Sequence, residues 1–251
     1  MASTQAVGVA TVHRPSTAQW RQWIGKNFYL TMALVIATIV VYAFSHTVDQ
    51  NLIDASPRRP FLLWIHAVFF SGWVVFFIAQ TALIRVRKVG LHRTLGWAGA
   101  ALGVAMVVVG FWVAVVMARF ETYQLHEIGR KAFLIVPLLD ITAFATCFGL
   151  AILWRGKPEH HRRLMLIATC VLTAAAFGRI PATRSVPLLG FYGGVDGLIL
   201  LGALRDLTVN RRVHAVYLTA LPVLIVAQAA TIQIFHREPA LWMDIAGKLV
   251  R

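Results

Sequence analysis

Histidine is the residue type in this sequence with the greatest capacity for chemistry. The chain has 251 residues and nine histidines. The topology predicted below puts His13 in the N-terminal tail and sorts the others into two groups, one near each face of a membrane. One group contains His46, His66, His126 and His236, and the other contains His92, His160, His161 and His214.

Paired histidines near each face suggest a specific chemistry. Two neutral imidazoles on facing helices can hold one haem iron, and a porphyrin fits between the helices of a bundle. Haems near opposite faces would carry electrons across the membrane. The alternative is that histidines in basic links, such as His92, His160, His161 and His214, simply face headgroups and water.

His66 differs from the others because it lies inside an apolar run, Phe61-Leu-Leu-Trp-Ile-His66. On a helix it would sit on the order of 8 Å along the axis from the start of that run. A polar side chain at this depth needs a partner, and intramembrane ionisable residues are functional candidates. His66 is therefore the first candidate for a ligand or a proton carrier.

Three charged residues also fall within or at the edge of apolar runs, namely Asp140, Arg179 and Asp196. An unpaired charge at the bilayer centre costs roughly 2.5–3.5 kcal/mol, so pairing Arg179 with one of the two carboxylates would offset much of that. One interpretation is a site for a substrate, a proton or a haem propionate, with Arg179 as the partner of an anion. The alternative is a structural ion pair that fixes helix register.

The elements that must position these residues are membrane helices. The chain is 59% hydrophobic and only 14% charged, with a mean hydropathy of +0.71, whereas soluble domains carry about a quarter charged residues. We predict an all-α, polytopic transmembrane bundle with seven spans in contact with the lipid bilayer. The predicted spans are residues 28–44, 61–84, 95–118, 132–154, 164–180, 188–204 and 215–235.

Basic residues set the predicted orientation. The net charge is +14, but Lys and Arg cluster in short links beside apolar spans, which favours positive-inside topology over a nucleic-acid partner. With the N-terminus inside, 14 of the 24 Lys and Arg residues fall on the inner side. Residues 1–27 are predicted to be a cytoplasmic and interfacial segment, residues 28–236 the helix bundle, and residues 237–251 an amphipathic tail on the membrane surface.

The remaining patterns indicate packing or exclude function classes. Cys147 and Cys170 lack metal-site spacing and are predicted to be core fillers. Gly99 and Gly103 form a surface of small residues that lets a neighbour approach closely. The sequence has no phosphate-binding glycine loop, nucleophile elbow, His-Glu-x-x-His motif or cysteine cluster, which argues against hydrolase and nucleotide-driven pump chemistry.

Two segments support a resemblance. Residues 91–96, LHRTLG, open one predicted helix, and residues 160–165, HHRRLM, open another that ends near Arg179. This order resembles bacterial inner-membrane proteins of an uncharacterised domain family with a leucine-His-Arg-x-leucine-Gly segment and a later His-Arg-Arg-x-Met segment. The similarity covers residues 61–182. The family has no established activity, so the resemblance implies the membrane architecture and the inner-membrane location.

A second similarity is to b-type cytochromes of the ascorbate- and ferric-reductase kind, whose helices carry histidine beside leucine and glycine near the membrane faces. Carried over to this sequence, it implies haem b as the cofactor. The implied axial ligands are His66 with His126 at the outer face and His92 with His161 at the inner face.

The resulting hypothesis is a haem b-binding, electron-transferring protein of the bacterial inner membrane. Asp140 and Arg179 would support the outer site electrostatically, and a quinone or another redox protein would exchange electrons with it. Whether the chain is itself a membrane oxidoreductase stays open. One alternative is a cofactor-free, proton-coupled carrier using Asp140, Arg179, Asp196 and His66, with the glycine-rich span 188–204 as a broken helix. Another is an assembly factor for a respiratory complex.

Overall fold

The computed structural model describes residues 16–183 and 187–251, and all of the regular structure in those ranges is helical. Ten α-helices follow one another along the chain. They are α1 Thr17–Ser45, α2 Phe61–Arg85, α3 Val89–Tyr123, α4 Arg130–Phe133, α5 Ile135–Leu153, α6 Pro158–Val171, α7 Ala174–Phe177, α8 Pro187–Asn210, α9 Ala215–Arg237 and α10 Ala240–Val250. A π-helical turn, Asp49–Ile53, and a 3-10 turn, Pro181–Thr183, lie in the links.

Five segments are long and apolar enough to cross a membrane: α1, α2, α3, the continuous stretch Arg130–Leu153, and α9. Each exceeds the roughly 20 residues that a span requires. The side chains on their outer surfaces are large and apolar, for example Val68, Val104 and Val226. The predicted polytopic, all-α membrane architecture is thereby confirmed.

Helix α1 begins at Thr17 rather than at the predicted Phe28, because a local capping interaction starts it early. The Ser16 side chain accepts a hydrogen bond from the Gln19 backbone N–H, and the Gln19 side chain accepts one from the Ser16 N–H. These reciprocal bonds satisfy two donors that a helix start otherwise leaves free. Trp20 and Trp23 are exposed on this first part of α1, as expected for aromatic anchors at an interface.

The short helix α6 lies inside the bundle. The outer helices contact one another in the order α1, α2, α3, α5, α9 and α8, and α8 also contacts α1. Helix α6 contacts three of them, α5, α8 and α9. Eight of the nine residues 163–171 are buried, the exception being Met165, which is partly buried. The predicted span 164–180 is in fact divided, since α6 ends at Val171 and α7 begins at Ala174. A helix surrounded by protein can be short and interrupted because lipid does not reach its backbone.

The small residues of α3 pack as predicted, against two different helices. Gly99 faces Phe76 of α2 and Gly103 faces Phe148 of α5, so closely that a Cβ atom would lie 2.2 Å and 2.3 Å from those rings. Gly96, on the same helix, has open space where a Cβ would stand. The glycines thus let aromatic side chains, rather than a neighbouring backbone, approach α3.

The C-terminal segment is a helix, as predicted, and it docks on the bundle. Trp242 donates its indole N–H to the carbonyl of Ala132 at 3.1 Å, and Val250 is buried with Ala114 and Ala118 of α3. The helix was predicted from three apolar residues spaced four positions apart, and these residues form its exposed face: Leu241, Ile245 and Leu249. An apolar face turned away from the protein is typical of a helix that also contacts lipid.

Candidate functional site

His92 and His161 are brought together at one end of the bundle. His92 lies in the first turn of α3 and His161 in the first turn of α6. Their ring centroids are 6.3 Å apart and their planes are inclined at 78°. This end, which we call the basic end, is where α3, α6 and α9 begin and where α2, α5 and α8 finish. The predicted association of these two histidines therefore exists in the fold.

His161 is held in one orientation by the end of α5. Its Nδ1 lies 2.8 Å from the carbonyl oxygen of Ala151. A carbonyl oxygen only accepts, so Nδ1 carries the proton and Nε2 presents a lone pair. Ligand histidines commonly have this second contact, which fixes the ring and its tautomer.

Polar atoms without partners surround this pair. Within the described ranges, His92 Nδ1 and both amide atoms of Gln80 are buried without a hydrogen-bond partner. The Gln80 backbone lies within hydrogen-bonding reach of the His92 ring, and Gln80 is only 8% exposed. Buried polar groups are normally satisfied, so such a set indicates a missing water or ligand.

The register of α2 and α6 explains why Gln80 reaches the level of the histidines. Trp73 of α2 donates its indole N–H to the Thr169 hydroxyl of α6 at 3.3 Å. From that contact, α2 continues toward the basic end through Gln80, and α6 runs back to His161, each by on the order of 10 Å. Gln80 and His161 therefore lie at similar depth.

The other predicted histidine pair is not in contact. His66 stacks on Phe70 of its own helix, with ring centroids 3.9 Å apart, and its buried Nδ1 has no partner among the described residues. His126 is exposed in the link after α3, with a positive φ of 54°. Arg179 lies close enough to His66 for electrostatic interaction. The described residues thus place a cation near His66, but none of their other imidazoles.

The predicted pairing of Arg179 with Asp140 or Asp196 is not formed within the described part of the chain. Arg179 donates to the Ala175 carbonyl at 2.6 Å and lies 4.5 Å from the centre of the Phe44 ring. The reason is the interruption between α6 and α7, after which α7 packs against α1 and carries Arg179 toward it.

Asp140 and Asp196 instead belong to a polar group in the middle of the bundle. Asp196 of α8 accepts a hydrogen bond from the Gln228 amide of α9 at 3.0 Å. Both Asp140 of α5 and Asp196 interact electrostatically with the buried Tyr192. These side chains come from three helices, which makes them a second candidate site.

The strongest polar interaction was missed by the sequence reasoning. Arg163 of α6 binds Asp206 of α8 through two bonds, Nε to Oδ2 at 2.6 Å and an Nη to Oδ1 at 2.7 Å. Their side chains are 1% and 0% exposed. Arg163 also donates to the Glu159 carboxylate at 2.7 Å. In the sequence, Glu159 and Asp206 lie in basic segments between the predicted spans. Acidic residues are scarce, ten in the whole chain, so their position among basic residues was the available signal.

Further residues enclose this ion network. Arg205 donates to Asp206 at 3.0 Å and lies 3.4 Å from the Gly25 carbonyl of α1, and Asn210 donates to Asp206 at 3.2 Å. The aromatic ring of Tyr29 lies beneath the guanidinium of Arg205, 5.7 Å away. The network therefore ties α6, α8 and α1 together at the basic end.

Within the described ranges, no group of three or more His, Cys, Asp or Glu side chains could hold a metal ion. A bis-histidine haem site needs only two protein ligands. Two pairs of histidine rings approach each other, His92–His161 with centroids 6.3 Å apart and His160–His214 with centroids 4.6 Å apart. No protein-family model, curated protein or solved structure matches this chain. The fold and its contacts define a multi-pass helical membrane protein with polar sites between its helices.

Proposed function

We propose that this chain is a haem b-binding protein that transfers electrons across the bacterial inner membrane. The observation that supports the proposal most directly is the His92–His161 pair, with its oriented ring and the unpartnered polar atoms beside it. No other two histidines on different bundle helices combine those features within the described residues.

The dimensions of the pair fit a shared metal. With metal–nitrogen bonds of about 2 Å, two imidazoles on one ion place their ring centroids roughly 6 Å apart. The observed separation is 6.3 Å. Haem supplies one-electron chemistry when bound, and its axial ligands set the potential. The chain's own contribution is to present His161 Nε2 and to enclose the site with α2, α3 and α6.

The outer site stays a prediction. We propose His66 as its first ligand and His126 as its second, with Arg179 and Asp140 as electrostatic support. The buried, unpartnered Nδ1 of His66 and the nearby Arg179 favour a ligand there. The exposed position of His126 requires the link after α3 to move inward. We further propose a quinone or a redox protein as the exchange partner.

Seven crossings with the N-terminus inside complete the proposal. Two further crossings would be added to the five apolar segments. The first would be formed by α6 together with α7, and the second by α8, whose charged side chains face other helices. The basic end would then face the cytoplasm, because Lys and Arg are retained on that side.

The decisive measurement is a reduced-minus-oxidised optical spectrum of the full chain purified from haem-replete cells. We expect sharp α and Soret bands, from which His92→Ala and His161→Ala remove the contribution of the haem held by this pair. His160→Ala is the matched control, since the His160 ring packs 4.6 Å from His214 rather than on His92. A colourless wild-type protein contradicts the proposal, as does equal haem retention in all three variants.

A second candidate function, a proton-coupled carrier, is favoured by the polar group of Asp140, Tyr192, Asp196 and Gln228. Carboxylates between helices are typical of proton pathways. Under this alternative, Asp196→Asn abolishes proton flux in proteoliposomes under an imposed pH gradient. Under the haem proposal, the same variant keeps its spectrum, so the two measurements separate the functions.

A further inference from the structure

A cleft opens at the basic end, and its lining includes neither His92 nor His161. Its volume is about 690 Å³, and it lies between the start of α6 and the link that joins α8 to α9. Its ionisable and basic lining consists of Lys157, His160, Arg162, Arg163, Arg212 and His214. The only acidic side chain in the lining is Glu159.

The acidic side chain of the cleft is already paired with two of the lining arginines. Glu159 accepts from Arg162 at 2.6 Å and from Arg163 at 2.7 Å. Within the described part of the chain, Lys157 and Arg212 take part in no ion pair, and both are exposed. Lys157 and Arg212 therefore give the cleft a surplus of positive charge that no carboxylate among the described residues balances.

Several hydrogen-bond donors are also available. The Nε of Arg162 is buried and has no partner among the described residues. His214 Nδ1 accepts a hydrogen bond from the Val216 backbone N–H at 3.2 Å. In the neutral ring Nε2 must then carry the proton. The positive end of α6, which starts at Pro158, faces the same cleft.

We propose that this cleft binds a phosphate ester group. Guanidinium groups bind phosphate through paired, charge-assisted hydrogen bonds, and the volume accommodates a group larger than an inorganic ion. The ester could belong to an anionic phospholipid, because the cleft lies at a membrane face, or to a soluble phosphorylated metabolite. The proposal is independent of haem, since none of the lining residues belongs to the His92–His161 pair.

The test uses the full chain in nanodiscs of phosphatidylcholine, with and without phosphatidylglycerol. Native mass spectrometry counts the phosphatidylglycerol retained, and thermal melting records the response to added glycerol 3-phosphate. The variant is Lys157→Gln with Arg212→Gln. The control is Lys88→Gln with Arg93→Gln, which removes two exposed charges from the same end outside the cleft.

We expect the cleft variant to weaken binding at least fivefold and the control less than twofold. Retention of phosphatidylglycerol identifies a lipid headgroup as the source of the ester, and a response to glycerol 3-phosphate alone identifies a soluble one. Equal behaviour of the two double variants, or no response of the wild type to either probe, overturns the proposal. Melting without ligand checks that both variants fold.

Discussion

The guanidinium of Arg163 and the carboxylate of Asp206 meet between α6 and α8 in two parallel hydrogen bonds of 2.6 and 2.7 Å, with both side chains removed from solvent. Such bidentate pairs combine strength with directionality. Because α6 is the central helix, this contact determines how the segment carrying His161 sits relative to the outer helices.

Breaking this pair should destabilise the fold strongly. Asp206→Asn removes the charge with which buried Arg163 and Arg205 both pair and leaves Arg163 only the Glu159 carboxylate. Loss of one partner of a buried pair costs about 3–5 kcal/mol. Thermal melting in mild detergent measures the change. Asp244→Asn is the matched control, because the Asp244–Lys248 pair of α10 is also 2.7 Å long but is well exposed, and such pairs contribute about 0–1 kcal/mol.

Replacing both partners should be tolerated better than replacing one. Arg163→Met with Asp206→Leu removes both charges of the bidentate pair, so fewer buried charges are left unpaired. Arg205 loses Asp206 but keeps its contact with the Gly25 carbonyl. We expect the double variant to melt above Asp206→Asn. If it melts at or below the single variant, the packing of the Arg163 side chain, rather than its charge, is what stabilises α6.

Glycine on α3 is required at some positions and not at others. Gly103→Ala should destabilise the protein by about 1–3 kcal/mol, because the added methyl group overlaps a buried ring. That ring belongs to Phe148, which stacks on Phe144 and touches Trp73, so it has little freedom to move away. Gly96→Ala is the control, since it meets open space. Equal melting temperatures would contradict the proposed close approach.

The ionisation of His214 should depend on its place at the start of α9. Burial, followed by the charges of Arg163 and His160, lowers the pKa of His214 from its ordinary value of 6.5, whereas Asp206 and Glu159 act in the opposite direction. The folded protein then holds this ring neutral at a pH where the unfolded chain protonates it. The contribution to stability is therefore fully present above pH 6.5 and is lost progressively as the pH falls from there through the lower pKa of the folded state.

A titration of the histidine ring resonances by NMR measures this pKa directly. His214→Asn removes the titrating group while keeping an acceptor for the Val216 N–H, since asparagine is a good N-cap. The variant should show a smaller loss of melting temperature between pH 7.5 and pH 5.5, a range chosen to span about one unit on each side of the ordinary value. A His214 pKa at or above that value would show the proposed effect to be absent.

The membrane orientation is testable by cysteine labelling. Cys147 and Cys170 are buried and can be replaced by alanine to give a background without thiols. Ile128→Cys, in the fully exposed link after α3, should react with an impermeant maleimide in intact cells. Gly156→Cys, in the α5–α6 link, should react only after the cells are permeabilised. The reverse pattern would place the N-terminus outside.

The sequence by itself determined the membrane character, the helical class and most of the long apolar helices. Continuous apolar runs are sufficient for this, because lipid demands both an apolar surface and internally bonded backbone. The close-packing role of Gly99 and Gly103 was also predictable, since it depends on residue size at a helical spacing. The start of α1 was not predicted correctly, although the Ser16–Gln19 capping pair was visible in the sequence.

Only the tertiary structure decided which charges pair and which histidines meet. Two results depend on the enclosure of α6 and on its interruption before α7. The first is the pairing of Arg163 with Asp206, 43 residues apart in the chain. The second is the separation of Arg179 from Asp140 and Asp196. Hydropathy reports contact with lipid, so it cannot identify a polar helix that is surrounded by other helices. Long-range polar contacts follow from how the helices pack, which local sequence patterns do not record.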